Sequence, residues 1–326
     1  MGFLEIFGAF VLLYNLFYLL IPLFLDCDML LALKEKFGKP ADSLAGKVIW
    51  IIGASSGIGE HTAYELANAG CKLVLSARRD DLLQKVKENC LADNKKNVTE
   101  KDILVLSFNI RDSDLHQKMF DKVLSEFGKL DILVHNAGRS QRAIWENIDL
   151  KVDRDAFDLN VFSLINLSRV VLKYFLAQGG GHFAINSSLA GILGAPFSGS
   201  YTGSKHALHG YFESLRTEKF GKNIAITMIC PGPIQTDFLR ESFTEKAGEK
   251  FGEETQVSAK KMSSKRCAEL ISIALANQLN EVWISFYPAL LFAYLKFYPN
   301  LNMIILHLLG PRFIQKIRDS KVTVKE

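Results

Sequence analysis

The stretch that most constrains the fold is Lys47 to Gly59: Lys-Val-Ile-Trp-Ile-Ile, then Gly53-Ala-Ser-Ser-Gly57-Ile-Gly59. The apolar run is short and lacks polar alternation, the pattern of a strand buried on both faces. It passes without a spacer into three glycines, and a helical pattern then continues to Ala69. In the order strand, glycine turn, helix, the glycines let the backbone turn sharply and approach a pyrophosphate, which the helix N-terminus attracts. The spacing is G-x-x-x-G-x-G rather than G-x-G-x-x-G.

The unit repeats downstream. Lys72 to Ser76, Ile103 to Ser107, Leu130 to His135, His182 to Asn186, Ile224 to Ile229 and Glu281 to Ser285 read as strands. Asp80 to Ala92, Asp112 to Phe127, residues 150 to 178, Ser200 to Phe220 and Ser263 to Gln278 read as helices. This alternation implies an α/β fold, a Rossmann-type doubly wound parallel sheet of about seven strands, with the ligand outside the strands' carboxyl ends. Ala77-Arg78-Arg79, Asn136-Ala137-Gly138 and Cys230-Pro231-Gly232-Pro233-Ile234-Gln235-Thr236 all fall at such ends. An acid after the second strand would hold the ribose 2′-hydroxyl of NAD, whereas an arginine accommodates the 2′-phosphate of NADP. Arg78, with Arg79 beside it, offers a guanidinium fork suited to phosphate, so NADP(H) is the expected cofactor. Asp80 and Asp81 read as the start of the next helix, where their charge is favourable.

Tyr201-Thr-Gly-Ser-Lys205 places a phenol and an ammonium four residues apart. On a helix that spacing stacks them on one face. A neighbouring ammonium favours the phenolate, and a tyrosine so tuned can give a proton to a carbonyl oxygen or take one from an alcohol. Ser188 lies thirteen residues upstream, where a strand ending would aim its hydroxyl into the same cleft. Alone, the pair is a weak signal and describes a surface tyrosine beside a solvated lysine. The glycine turn upstream is what shifts the balance.

With 326 residues the chain can form one large α/β domain with extensions. A net charge of +4, with no basic stripe, argues against nucleic acid, and no zinc-like spacing is present. Cys27, Cys71, Cys90, Cys230 and Cys267 are scattered and odd in number, so they read as reduced thiols. Ile6 to Leu25 carries no charge over twenty residues, long enough to span a bilayer as an uncleaved anchor. A cleaved signal would want a basic start and a shorter apolar core, and a buried helix would need partners on every side. Residues 26 to 46 read as a linker, and residues 47 to 285 as the catalytic domain. Residues 238 to 262 read either as a mobile loop or as a substrate lid. The aromatic, apolar tail from Phe286 to residue 326 reads as an interfacial element in contact with membrane lipid or as a homodimer contact, with core packing as the rival. No lysine or arginine precedes Ile6, but Lys34, Lys36 and Lys39 follow the span, a bias that places the following domain in the cytosol. The sequon Asn97-Val98-Thr99 opposes that reading, while two others, at Asn166 and Asn186, fall in expected core elements.

Taken together, Gly53-x-x-x-Gly57-x-Gly59, Asn136-Ala137-Gly138, Asn160, Ser188, Tyr201-x-x-x-Lys205 and Pro231-Gly232 resemble the short-chain dehydrogenase/reductase family over residues 47 to about 285. The resemblance implies that Tyr201 is the general acid/base and that Lys205 lowers its pKa and holds the nicotinamide ribose. Ser188 would polarise the substrate oxygen, and Asn160 would hold a water in a proton relay. Ser55, Ser56 and Ile58 would line the pyrophosphate turn, and Ile234 and Thr236 would hold the carboxamide. Asn136, Ala137, Gly138 and Pro231 would complete the cofactor wall. His135 stands where the family commonly has asparagine, and Asn109 where an aspartate commonly meets the adenine; an amide oxygen can still accept that bond. The implied activity is NADP(H)-dependent interconversion of a carbonyl and a secondary or allylic alcohol on a lipophilic substrate such as a steroid or retinoid, at the endoplasmic reticulum membrane. A catalytically silent nucleotide-binding scaffold is the alternative, and would be expected to have a broken Asn-Ser-Tyr-Lys set.

Overall fold

The computed structural model describes residues 2–20, 23–92, 96–253 and 261–317. An apolar helix α1 (Phe3–Leu20) and a short α2 (Met29–Phe37) precede the alternating part. This part runs β1 (Val48–Ile52), α3 (Gly57–Asn68), β2 (Lys72–Ala77), α4 (Asp80–Ala92), β3 (Ile103–Ser107), α5 (Leu115–Phe127) and β4 (Ile132–His135). It continues with α6 (Leu150–Phe157), α7 (Ser163–Ala177), β5 (Gly181–Asn186), α8 (Gly199–Glu218) and β6 (Ile224–Pro231). After a two-residue pair, β7 (Ile234–Gln235) with β8 (Met262–Ser263), come α9 (Ser264–Ala276), β9 (Glu281–Ile284), α10 (Ala289–Leu295) and α11 (Pro299–Ile317). The seven-stranded sheet is parallel throughout, in the order β3-β2-β1-β4-β5-β6-β9. The chain winds outward from β1 to β3, then returns to start the other half at β4. The crevice at this reversal, between β1 and β4, is where such sheets bind ligands.

The unbroken apolarity of β1 has a direct structural cause. Ile49 and Ile51 point into one core layer with Leu66, Leu73 and Leu275, while Val48, Trp50 and Ile52 point into the other with Phe120, Val171 and Phe183. Trp50 stacks on Phe120 at 6.4 Å, and its indole N–H donates to Ser76 Oγ at 2.8 Å. The largest core side chain is thus buried with its polar atom satisfied; truncating such a ring costs about 3–5 kcal/mol.

Four segments differ from or refine the sequence reading. Residues 150 to 178 do not form one helix: a π-turn at Asp158–Phe162 separates α6 from α7, with the Ser163 N–H donating to Asp158 O. Together these elements are long and apolar enough to cross a membrane, yet Leu164, Leu167, Val171 and Phe175 are fully buried against the sheet. Residues 26 to 46 are not a loose linker. Cys27 and Leu31 are fully buried, and Asp28 accepts from the N–H groups of both Leu31 (3.0 Å) and Trp283 (2.8 Å). Arg266 on α9 grips Asp26 at 2.7 Å and Glu35 at 2.5 Å. The packed body therefore begins at Cys27, with Asp26 and Glu35 held as partners of Arg266. In the tail, α10 is core: Leu290 and Ala293 are fully buried beside Trp283 and Cys230. By contrast, α1 and α11 leave Phe3, Leu4, Phe10, Met303 and Leu308 exposed, and the Tyr298 hydroxyl donates to Asn15 Oδ1 of α1. Lastly, residues 238–253 fold over the cleft, with Phe243 against Val152 and Ala156 and paired by backbone bonds to Ser140 and Arg142. Of the rest of the expected lid, residues 254–260 lie outside the described residues and Met262 falls in β8. All five cysteines are free and buried, and burial pushes Cys71, Cys90 and Cys267 up to about 12.

Candidate active site

The carboxyl ends of the strands open into one cavity of about 1080 Å³. Pockets for a single small ligand run to about 300–1,000 Å³, so this one has room for a dinucleotide with a second molecule beside it. Among the expected site residues, Gly53, Ser55, Ser56, Gly57, Ile58, Arg78, Arg79, Asn109, Asn136, Ala137, Gly138, Ser188, Tyr201, Lys205, Pro231, Ile234 and Thr236 line it. Gly59 and Asn160 stand behind the wall.

At one end the wall is backbone. Gly53 has φ +89°, and a Cβ there would stand 2.7 Å from Ala137 N. A Cβ on Gly59 would run into the Gly53 carbonyl oxygen and Asn136 Nδ2. The turn is stapled to the sheet: Asn136 Nδ2 donates to Gly53 O at 2.7 Å, and Asn136 Oδ1 accepts from Asn186 Nδ2 at 2.5 Å. The start of α3 is left facing a cradle that any side chain would fill, which fits a pyrophosphate. Arg78 and Arg79 are exposed at its rim, and Arg79 Nη2 reaches Ser55 Oγ at 3.4 Å. Asn109 Oδ1 accepts from Arg111 N at 3.3 Å.

In the middle the wall is polar. Lys205 is buried one turn after Tyr201 on α8, its Nζ donating to Asn186 O at 2.8 Å and standing 5.7 Å from the Tyr201 ring centre. Burial holds this ammonium down at about 8. Ser188 follows β5, donating to Pro231 O at 3.3 Å and accepting from Ala190 N at 3.1 Å. Asn160 is fully buried at the π-turn. Its Oδ1 accepts from Arg139 N, and its Nδ2 donates to Arg139 O, both at 2.9 Å, and to Ser204 Oγ at 3.0 Å. Its side chain therefore clamps the strand-end loop to α8, and in this structure does not face the cavity. His135 is fully buried; desolvation pushes it down to about 3, so it is neutral, and it meets Ser168 Oγ at 2.8 Å.

Several cavity residues escape sequence reasoning. Arg139 pairs with Glu241 at 2.6 Å, joining the loop after β4 to the cover segment. The phenyl ring of Phe238 meets Tyr201 edge-on at 5.9 Å. Leu193, Phe292 and Leu306 give the cavity an apolar arm from three separate segments, with Asn302 also in its lining. Arg142 lies in the wall with no carboxylate partner among the described residues. None of these belongs to a periodic pattern or a glycine motif; the sole hint is that 139–143 follows a strand end.

The fold and the cleft define a nicotinamide-dependent oxidoreductase of the Rossmann type, and the chain belongs to the short-chain dehydrogenase family, whose pattern ("short chain dehydrogenase") matches residues 47–247. It is 41% identical over 273 residues to mouse dehydrogenase/reductase SDR family member 7, covering 83% of this chain and 80% of the relative. The human protein of the same name is 39% identical over 296 residues, covering 90% and 86%. An 11-beta-hydroxysteroid dehydrogenase A of Sesamum indicum is 35% identical over 211 residues, covering 64% of this chain and 58% of that one. Among solved structures, a short-chain dehydrogenase of Streptomyces avermitilis superposes with a TM-score of 0.64 at 24% identity, covering 81% of this chain and 96% of that one, a likeness of fold. A Mycobacterium paratuberculosis short-chain dehydrogenase bound to NAD superposes with a TM-score of 0.54 at 28% identity, covering 60% and 74%.

Proposed function

We propose that the protein is a membrane-anchored, NADP(H)-dependent oxidoreductase that interconverts a carbonyl and a secondary or allylic alcohol on a lipophilic substrate. The observation that carries the reading is that Ser188, Tyr201 and Lys205 share one wall of the cavity into which the glycine cradle opens. The cofactor, when bound, supplies or accepts the hydride. Gly53, Gly57 and Gly59 admit its pyrophosphate, and Arg78, with Arg79 beside it, takes the 2′-phosphate. Thr236, whose methyl sits 3.0 Å from the Cβ position of Gly57, closes the cradle beside Ile234.

The chain's own residues manage the proton. Tyr201 donates to the carbonyl oxygen in reduction and accepts from the alcohol in oxidation, while Ser188 holds that oxygen. Lys205, charged and sealed from water, favours the phenolate. Asn160 acts as a positioning residue through Arg139 and Ser204. The apolar arm favours a lipophilic skeleton, in keeping with the hydroxysteroid name of the sesame relative.

Anchoring rests on α1, which is apolar yet exposed over most of its surface. The lysines at 34, 36 and 39 and the five free thiols favour a cytosolic catalytic domain, at the endoplasmic reticulum membrane. Consumption of NADPH against a panel of lipophilic ketones tests the activity; no turnover of any member removes it. For topology, an endoglycosidase mobility shift that disappears in Asn97→Gln would place the domain in the lumen.

A further inference from the structure

The cavity wall contains a charge that no carboxylate among the described residues neutralises. Arg142 follows β4 by seven residues and is half-buried in the cavity wall. Its backbone N–H donates to Phe243 O at 2.8 Å, which fixes the loop under the cover segment. Its head has only neutral partners: Nη1 donates to Ser140 Oγ at 2.5 Å and to Gln141 O at 2.9 Å. Nε is sealed from solvent and has no hydrogen-bond partner. The acids in the wall are committed elsewhere: Glu241 is held by Arg139 at 2.6 Å and by Lys250 at 3.1 Å, and Asp237 is exposed. Among the described residues, no carboxylate lies within ion-pair distance of Arg142.

A half-buried cation with no carboxylate partner is costly unless a ligand supplies one. Burial lowers the guanidinium to about 10, and the nearby Tyr201 pulls it back up, so Arg142 stays charged at neutral pH and lies within electrostatic reach of the phenol. Leu189, Leu193 and Phe238 line the same cavity and are apolar. The cofactor's phosphates have their own cations at the far rim, Arg78 and Arg79.

The geometry points to Arg142 as the receiver of a carboxylate on the substrate, which makes the preferred substrate an acidic lipophilic carbonyl compound or hydroxy acid. This deepens the assignment of the arm as the substrate site and rests on it. A planar guanidinium in the cavity wall matches a carboxylate, and the apolar arm takes the carbon chain.

The test uses a redox-inert matched pair, dodecanoate and methyl dodecanoate, titrated into full-length detergent-solubilised protein saturated with NADP. Dodecanoate is expected to bind about tenfold to a hundredfold more tightly than the ester, the worth of one charge-assisted hydrogen bond. Arg142→Gln is expected to abolish that preference while leaving ester and NADP affinity unchanged, and Arg142→Lys to keep part of it. Equal binding of acid and ester by the parent overturns the proposal without recourse to any variant. So does a preference that survives Arg142→Gln. Turnover of a long-chain keto acid and its methyl ester separates the roles: loss of Arg142 should raise KM for the acid alone. A fall in kcat for the ester, with its pH profile displaced upward, would make Arg142 a partner of Tyr201 instead. If no ketone is reduced but the Arg142-dependent preference for dodecanoate persists, the catalytic reading fails and the receiver stands.

Discussion

The two ends of the cavity are built on different principles. The cradle end is backbone, shaped by three glycines within seven residues, and there a single added methyl has nowhere to go. The arm end is side chain, assembled from the loop after β4, the segment after β5, the cover at 238–253, α10 and α11. A backbone site binds what all nicotinamide cofactors share, while a side-chain site can be rewritten one segment at a time. The cradle therefore reveals the reaction class, and the arm reveals the substrate.

That contrast can be broken or sharpened by substitution. The largest effect belongs at the centre, between the two ends. Tyr201→Phe removes only the transferable proton, so turnover should fall by about 10²–10⁴ while cofactor affinity holds. Single-turnover rates together with cofactor titration would read both, and equal activity in mutant and parent removes Tyr201 from its role. Gly59→Ala attacks the cradle alone. Its Cβ meets the Gly53 carbonyl, so we expect overpacking of about 1–3 kcal/mol and cofactor binding roughly ten- to a hundredfold weaker. Unchanged binding would mean the turn is not a cradle.

Arg78→Asp should invert the preference between NADPH and NADH by about ten- to a hundredfold, because it exchanges a phosphate fork for a ribose acceptor. A parent that already prefers NADH in initial-rate assays would refute the assignment. Phe238→Ala opens the arm, and KM for a lipophilic substrate should rise about tenfold with cofactor affinity untouched, the value of part of one apolar ring. Were both to change together, the two ends would not be independent.

The smallest expected effect concerns Lys205. Burial holds it at about 8 in the folded protein, while an unfolded lysine titrates near 10.4. Between those values the unfolded chain carries a proton that the folded chain lacks, so this residue's contribution to stability rises with pH across the window, and its penalty is largest below about 8. Lys205→Met should therefore melt a few degrees higher than the parent at pH 7 without cofactor, converging towards pH 10, although turnover is lost. A difference in melting temperature that does not vary with pH would contradict the buried-charge account.

The same contrast explains what the sequence disclosed. β1 and the glycine turn are local features, and one strand followed by one turn and one helix carries its meaning in consecutive residues. Lys205 and Tyr201 were legible for the same reason, since one helical turn joins them. The π-turn at Asn160 was not legible, because it depends on Arg139 and Ser204, which are 21 and 44 residues away. The packing of α2 was not legible, because Glu35 on it and Asp26 just before it find Arg266 across 231 and 240 residues. Arg142 carried no local mark at all; its interest lies in the absence of a carboxylate beside it among the described residues.

The grip of Arg266 on Asp26 and Glu35 has a mechanical consequence. Because the packed body begins at Cys27, only six residues separate it from the end of α1 at Leu20. Fully stretched, that span reaches about 25 Å. Were α1 to lie in the bilayer, as proposed, the domain would be moored on a short line, unable to drift more than roughly its own radius from the lipid. A substrate dissolved in the membrane would then be met at the high local concentration that a short tether imposes.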